Sequence, residues 1–102
     1  MNELEYSKFV EWNFKIMDSK ITTLLHASVG LSGEAGELLD SVKKSWVNLT
    51  ELNTVNLIEE LGDVLFYLTA AARELGVSLE YLRDENVRKI TKRYPRNRNA
   101  NE

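Results

Sequence analysis

Two acidic pairs set into largely apolar segments are where this chain could do chemistry. Glu34 and Glu37 stand in Gly30-Leu31-Ser32-Gly33-Glu34-Ala35-Gly36-Glu37-Leu38-Leu39, and Glu60 and Asp63 in Leu57-Ile58-Glu59-Glu60-Leu61-Gly62-Asp63-Val64-Leu65. Each pair is spaced i, i+3, so on a helix both carboxylates point the same way. Carboxylates beside a core are costly to desolvate unless something pairs with them. The neighbouring residues offer few obvious partners. Hard divalent cations with oxygen ligands suit such a site, and Mg²⁺ is the usual one where the substrate is a phosphate. The 22 residues between Glu37 and Glu60 are enough to finish one helix, turn and return. Two antiparallel helices would then gather four carboxylates. One or more Mg²⁺ ions held there would bridge phosphate oxygens, offset polyphosphate charge and acidify a bound water.

The elements that must position these groups read as helices throughout. Alternating apolar runs and hairpin dipeptides such as Asn-Gly are missing. The pattern predicts a first helix from about Asn2 to Asp18, with Leu4, Phe9, Trp12, Phe14 and Ile16 among its apolar residues. Asp18-Ser19-Lys20 is a polar break. A second helix follows from about Thr22 to Val47, then a polar loop from Asn48 to Asn53, with Thr50 or Asn53 available as the next cap. The third helix spans about Thr54 to Leu75 and stops at Gly76. Ser78 can cap a fourth that runs to about Lys92, before Pro95. The remainder, from Arg96 to Glu102, is polar and predicts a disordered tail after a single helical domain over residues 1–95.

Wheel arithmetic places the acids relative to the core. Taking Glu34 as zero, Leu24, Leu31, Leu38 and Val42 fall within roughly 40–80° at ~100° per residue. Glu37 falls on the other side, so the carboxylates border the core stripe. Gly30, Gly33 and Gly36 lie beside them, each costing about 1 kcal/mol relative to alanine in a helix. Close helix approach or room for a ligand would account for them. On the third helix, Leu57, Leu61, Val64, Leu68, Ala71 and Leu75 form one stripe edged by Glu60 and Asp63. Ile58, Leu65 and Phe66 point elsewhere. A helix apolar nearly all round is buried on more than one side, which predicts a homo-oligomer, a dimer or dimer of dimers.

Composition excludes several classes. The 102 residues suit one domain. Cysteine is absent, which removes disulfides, thiolate nucleophiles and cysteine zinc sites. The N-terminal residues do not read as a signal peptide, and no apolar stretch is long enough to span a bilayer. We expect a cytoplasmic protein with no membrane partner. A net charge of −3 argues against a general nucleic-acid binder. The charge is uneven, however: Arg88, Lys89, Lys92, Arg93, Arg96 and Arg98 are crowded into one acid-free stretch.

The residues also carry a resemblance. Gly33-Glu34-Ala35-Gly36-Glu37-Leu38, followed by Glu59-Glu60-Leu61-Gly62-Asp63-Val64-Leu65-Phe66-Tyr67-Leu68, resembles the MazG-like family of all-α nucleoside triphosphate pyrophosphohydrolases. The family motif is an E-x-x-E pair followed by an E-x-x-D pair on the next long helix. Asn86-Val87-Arg88-Lys89-Ile90-Thr91-Lys92-Arg93-Tyr94-Pro95 is similar to the family's closing N-x-x-K…R-Y-P stretch. The likeness covers roughly Leu24 to Pro95. It implies an all-α, four-helix bundle-like protomer. It also implies Mg²⁺-dependent cleavage of a (d)NTP between the α- and β-phosphates, with Mn²⁺ as a possible substitute. Glu34, Glu37, Glu60 and Asp63 would be the metal ligands, one of them activating water. Many members carry a second glutamate where this chain has Gly33, a departure that bears on how many metals bind.

Asn86, Lys89 and Arg93 share one face of the last helix, and the resemblance makes them phosphate contacts, with Lys44 a further candidate. An ordinary amphipathic helix is the alternative. His26 is about 12 Å from Glu34 along the axis at ~1.5 Å per residue and reads as a packing residue. Trp12 and Trp46 read as core or interface residues rather than base stackers. Glu59 reads as solvent-facing, and Tyr67, one turn past Asp63, fits either role. Two other functions compete: a phosphoribosyl-ATP pyrophosphohydrolase-like enzyme, and a non-catalytic helical assembly or regulatory module.

Overall fold

The computed structural model describes residues 1–95; the polar tail expected over 96–102 lies outside the described residues. Among them it is all-helical, with α1 (Glu3–Asn13), α2 (Lys20–Asn48), α3 (Thr54–Glu74) and α4 (Leu79–Arg93). α2 and α3 form the main packed pair, α1 lies against α3, and α4 touches α3 more lightly. The α2–α3 pair is antiparallel. Gly30 meets Tyr67, Glu34 and Glu37 meet Glu60, and Ser41 meets Asn56.

Each helix begins at a residue chosen for the task. Asn2 and Glu5 form a reciprocal capping box on α1, and Ser19 and Thr22 form one on α2. Asn53, rather than Thr50, caps α3, its side chain accepting from the Asn56 N–H at 3.1 Å. Ser78 caps α4. That same end is tied to α1, because the Glu80 N–H donates to Glu3 Oε1 at 2.7 Å. A carboxylate there also favours the helix dipole. Gly76, at φ +74°, supplies the left-handed turn between α3 and α4.

The first helix is shorter than its apolar pattern predicts, ending at Asn13 instead of Asp18. Phe14 leaves the helical conformation (φ −102°, ψ 126°), which turns its ring inward. The exposed helix end is satisfied locally, with Asn13 Nδ2 donating to the Phe9 carbonyl at 2.8 Å. The linker then finds partners on α2. His26 Nδ1 lies 3.1 Å from the Lys15 carbonyl, and the Met17 N–H donates to Thr23 Oγ1 at 3.0 Å. These contacts hold residues that helix periodicity alone would have continued.

The core is small. Val10, Phe14, Ala27 and Ala70 are buried together, with Tyr6, Phe66, Tyr67 and Ala71 packed around them. Phe14 is its hub: it stacks on His26 at 4.5 Å and meets Phe66 and Tyr67 edge-on at 6.3 Å each. Arg73 joins α3 to α1 through Ser7 Oγ and through Glu11 Oε2 at 2.9 Å.

This core corrects the expected stripe on α3. The protomer buries the Phe66, Thr69 and Ala70 side, whereas Leu61, on the stripe the wheel favours, is 54% exposed. Ile58 is 62% exposed. α1 covers only one side of α3, so the broader apolar face is left uncovered. Trp12 and Trp46 are likewise not core residues, at 82% and 75% exposure. No helix among the described residues is long and apolar enough to cross a membrane.

Candidate metal centre

Three of the four carboxylates expected to gather are brought into one tight group. Oxygens of Glu34, Glu37 and Glu60 all lie within 4.8 Å of one another across the α2–α3 seam. The antiparallel register produces this, since one pair sits one turn below Gly30 and the other one turn above Tyr67. Asp63 lies close enough for its charge to act on both Glu34 and Glu60. It stands outside the tight group of three.

Electrostatics make this an unfavourable arrangement for protein alone. Burial, followed by a hydrogen bond to Glu37 and the charges of Glu37, Asp63 and Glu60, pushes the Glu34 carboxyl up to about 7. Burial and the charges of Glu37 and Asp63 also raise Glu60. Glu34 Oε2 and Glu60 Oε2 are buried and have no hydrogen-bond partner. A buried acceptor left unpaired costs about 1–3 kcal/mol, and more when charged. Two such oxygens inside one cluster of carboxylates fit a hard divalent cation as their missing partner. The donors are all oxygen, which suits Mg²⁺, Mn²⁺ or Ca²⁺ and disfavours soft metals.

The glycines separate into two kinds. A Cβ on Gly30 would lie 2.6 Å from Tyr67 Cζ and closer still to Cδ1 and Cε1, so this glycine is required by close approach. Gly33 and Gly36, flanking Glu34 and Glu37, have nothing within 4 Å of such a Cβ. They leave open space beside the acids. Tyr67 therefore acts as a packing residue that locks the helices immediately next to the site. His26 stacks on Phe14 and bonds the linker, as a packing residue should. Glu59 faces solvent.

The other sequence candidates lie elsewhere. Asn86, Lys89 and Arg93 line an open groove on α4 together with Arg88 and Lys92. Arg88 is occupied by Glu85 at 2.6 Å. Lys44 pairs with Asp40 at 3.0 Å on the exposed side of α2 and edges a cavity of mixed lining at the far end of the seam.

Two features were missed in the sequence. Tyr6 of α1 stands near the centre, its hydroxyl pKa raised by burial and by the Asp63 charge. Only the docking of α1 on α3 creates that proximity. Ser41 and Asn56 continue the carboxylate faces of α2 and α3, being Glu37+4 and Glu60−4. Same-face arithmetic extended by one turn finds them.

Comparison with known proteins places the chain in a family. Residues 22–97 match the model of the MazG nucleotide pyrophosphohydrolase domain. The chain is also similar to the Gene 37 protein of Mycobacterium phage L5, with 36% identity over 80 residues, covering 74% of this chain and 70% of that one. No solved structure matches it. The matched region contains both acidic pairs, and the chain belongs to the MazG nucleotide pyrophosphohydrolase family.

Proposed function

We propose that the chain is a Mg²⁺-dependent nucleoside triphosphate pyrophosphohydrolase, one helical catalytic domain over residues 1–95, converting a (d)NTP to the monophosphate and pyrophosphate. The observation that carries this reading is the pair of buried, unpartnered oxygens of Glu34 and Glu60 within a three-glutamate cluster. Glu34, Glu37, Glu60 and Asp63 would hold the metal, with Mn²⁺ as a substitute. A divalent ion bound there supplies charge for the phosphates and acidifies water. The protein's own contribution is positional. The α2–α3 seam fixes three carboxylates that all stand on helices, and Tyr67 against Gly30 sets the helix separation beside them. A carboxylate not saturated by metal takes the proton from the attacking water.

Substrate contacts belong to the same proposal. Lys89, Asn86 and Arg93 offer charge and hydrogen-bond donors on the exposed face of α4, and Lys44 lies at the rim of the seam. Lys89→Ala should raise KM or lower kcat with little change in melting, because the residue is exposed and its charge serves phosphate.

The site is proposed to work in a homodimer or dimer of dimers. The protomer leaves large apolar side chains of α3 in solvent. Ile58, Leu61 and Leu65 lie on its exposed α3 face.

The experiment is a pyrophosphate-release screen over the common NTPs and dNTPs with Mg²⁺, with products separated by chromatography. Monophosphate and pyrophosphate are expected. Diphosphate with orthophosphate would place cleavage at the γ-phosphate and overturn the reading. No turnover of any nucleotide, with no Mg²⁺-dependent rise in melting temperature, would favour the non-catalytic module.

A further inference from the structure

One turn beyond the carboxylates, the α2–α3 seam opens into a cavity of about 200 Å³ at the hairpin end. Ser41, Ser45, Asn53 and Asn56 supply its polar lining, and Leu52 and Leu57 its apolar wall. We infer that this cavity receives the nucleobase of the substrate, with Asn56 and Ser41 reading the base edge. The inference rests on the nucleotide reading of the carboxylate cluster and assigns that site its specificity pocket.

Position is the first argument. Ser41 follows Glu37 by four residues and Asn56 precedes Glu60 by four, so both lie about 6 Å along the axis from the carboxylates at ~1.5 Å per residue. A phosphate held at the carboxylates thus has one ribose to span before its base reaches the cavity. Composition is the second. Amide and hydroxyl groups against leucine side chains match a flat, mostly apolar ring with a polar edge. They match a polyphosphate poorly, since Lys44 at the rim is the one cation among the lining residues. Asn56 is the third. Its Nδ2 donates to Ser41 Oγ at 3.3 Å, the long end of the hydrogen-bond range, so a ligand can take over that donor at small cost. Its backbone N–H is held by Asn53, which fixes the residue that presents the amide.

The test compares wild type, Asn56→Leu and Ser41→Ala. Ser41→Ala is included because alanine is the better helix former there and will not unfold α2. Binding of AMP, GMP, CMP, UMP and dTMP in Mg²⁺ is measured by thermal shift and calorimetry, with inorganic pyrophosphate as the base-free probe. Wild type should rank the monophosphates. Asn56→Leu should compress that ranking roughly tenfold, about 1.4 kcal/mol of discrimination, and leave pyrophosphate binding unchanged. Ser41→Ala should compress it in the same direction. An Asn56→Leu protein that weakens all five and pyrophosphate equally would put phosphate in the cavity and overturn the inference, as would an unchanged ranking in both variants. A wild type that ranks the monophosphates but hydrolyses no triphosphate would overturn the proposed activity and leave the base subsite standing.

Discussion

Gly30→Ala should destabilise the protein while Gly33→Ala, three residues on in the same helix, should stabilise it. Both changes gain about 1 kcal/mol of helix propensity. At Gly33 nothing lies within 4 Å of the new Cβ, so that gain is kept. At Gly30 the Cβ overlaps three carbons of the Tyr67 ring. The ring cannot slide away freely, because Phe66 meets it edge-on at 5.3 Å and Phe14 at 6.3 Å. Overpacking of this kind costs about 1–3 kcal/mol, and the rigid ring places it at the upper end. The net loss is then about 2 kcal/mol, or a melting temperature lower by ~8–16 °C for a domain of this size. Thermal unfolding followed by circular dichroism measures it. The decisive variant is Gly30→Ala in a Tyr67→Ala background, where the overlap is gone and the alanine should now stabilise. If Gly30→Ala is as stable as Gly33→Ala, or if its cost survives removal of the Tyr67 ring, the close-approach account is wrong. If Gly33→Ala is itself destabilising, something outside this chain approaches that face.

The Glu34 carboxyl rises from 4.5 to about 7 on folding, so the folded state favours its protonated form; the contribution of Glu34 to metal-free stability is full below pH 4.5 and is lost as pH climbs through 7, and Glu34→Gln should flatten the dependence of melting temperature on pH across that window. Mg²⁺ should counter the loss most at the high-pH end, because carboxylates must be deprotonated to bind it. Glu60→Ala should abolish turnover and the Mg²⁺-dependent rise in melting temperature while the circular dichroism spectrum stays helical; near-normal turnover would remove Glu60 from the metal set. Leu61→Lys, on the exposed face of α3, should shift light scattering from a dimer or tetramer towards monomer; an unchanged mass would locate the subunit interface elsewhere.

Much of this protein is decided locally. The starts near Asn2 and at Ser78 and the stop at Gly76 depend on groups within a few residues, so they are legible in sequence, whereas Ser19, read as part of a polar break before Thr22, proves to be the cap of α2, and Asn53 rather than Thr50 caps α3. The acidic pairs are legible for the same reason: i, i+3 spacing on a helix fixes a shared face, and a 22-residue return suffices to oppose two such faces. What periodicity could not decide is which apolar face the protomer would bury. α3 carries more than one, and the docking of α1 selected the Phe66 and Ala70 side, leaving Leu61 open. The early end of α1 is also tertiary, since Phe14 breaks the helix to reach His26, Phe66 and Tyr67 from other elements. Tyr6 near Asp63 and the meeting of Tyr67 with Gly30 depend on how whole helices approach. Wheel angles describe one helix at a time and contain no information about that distance.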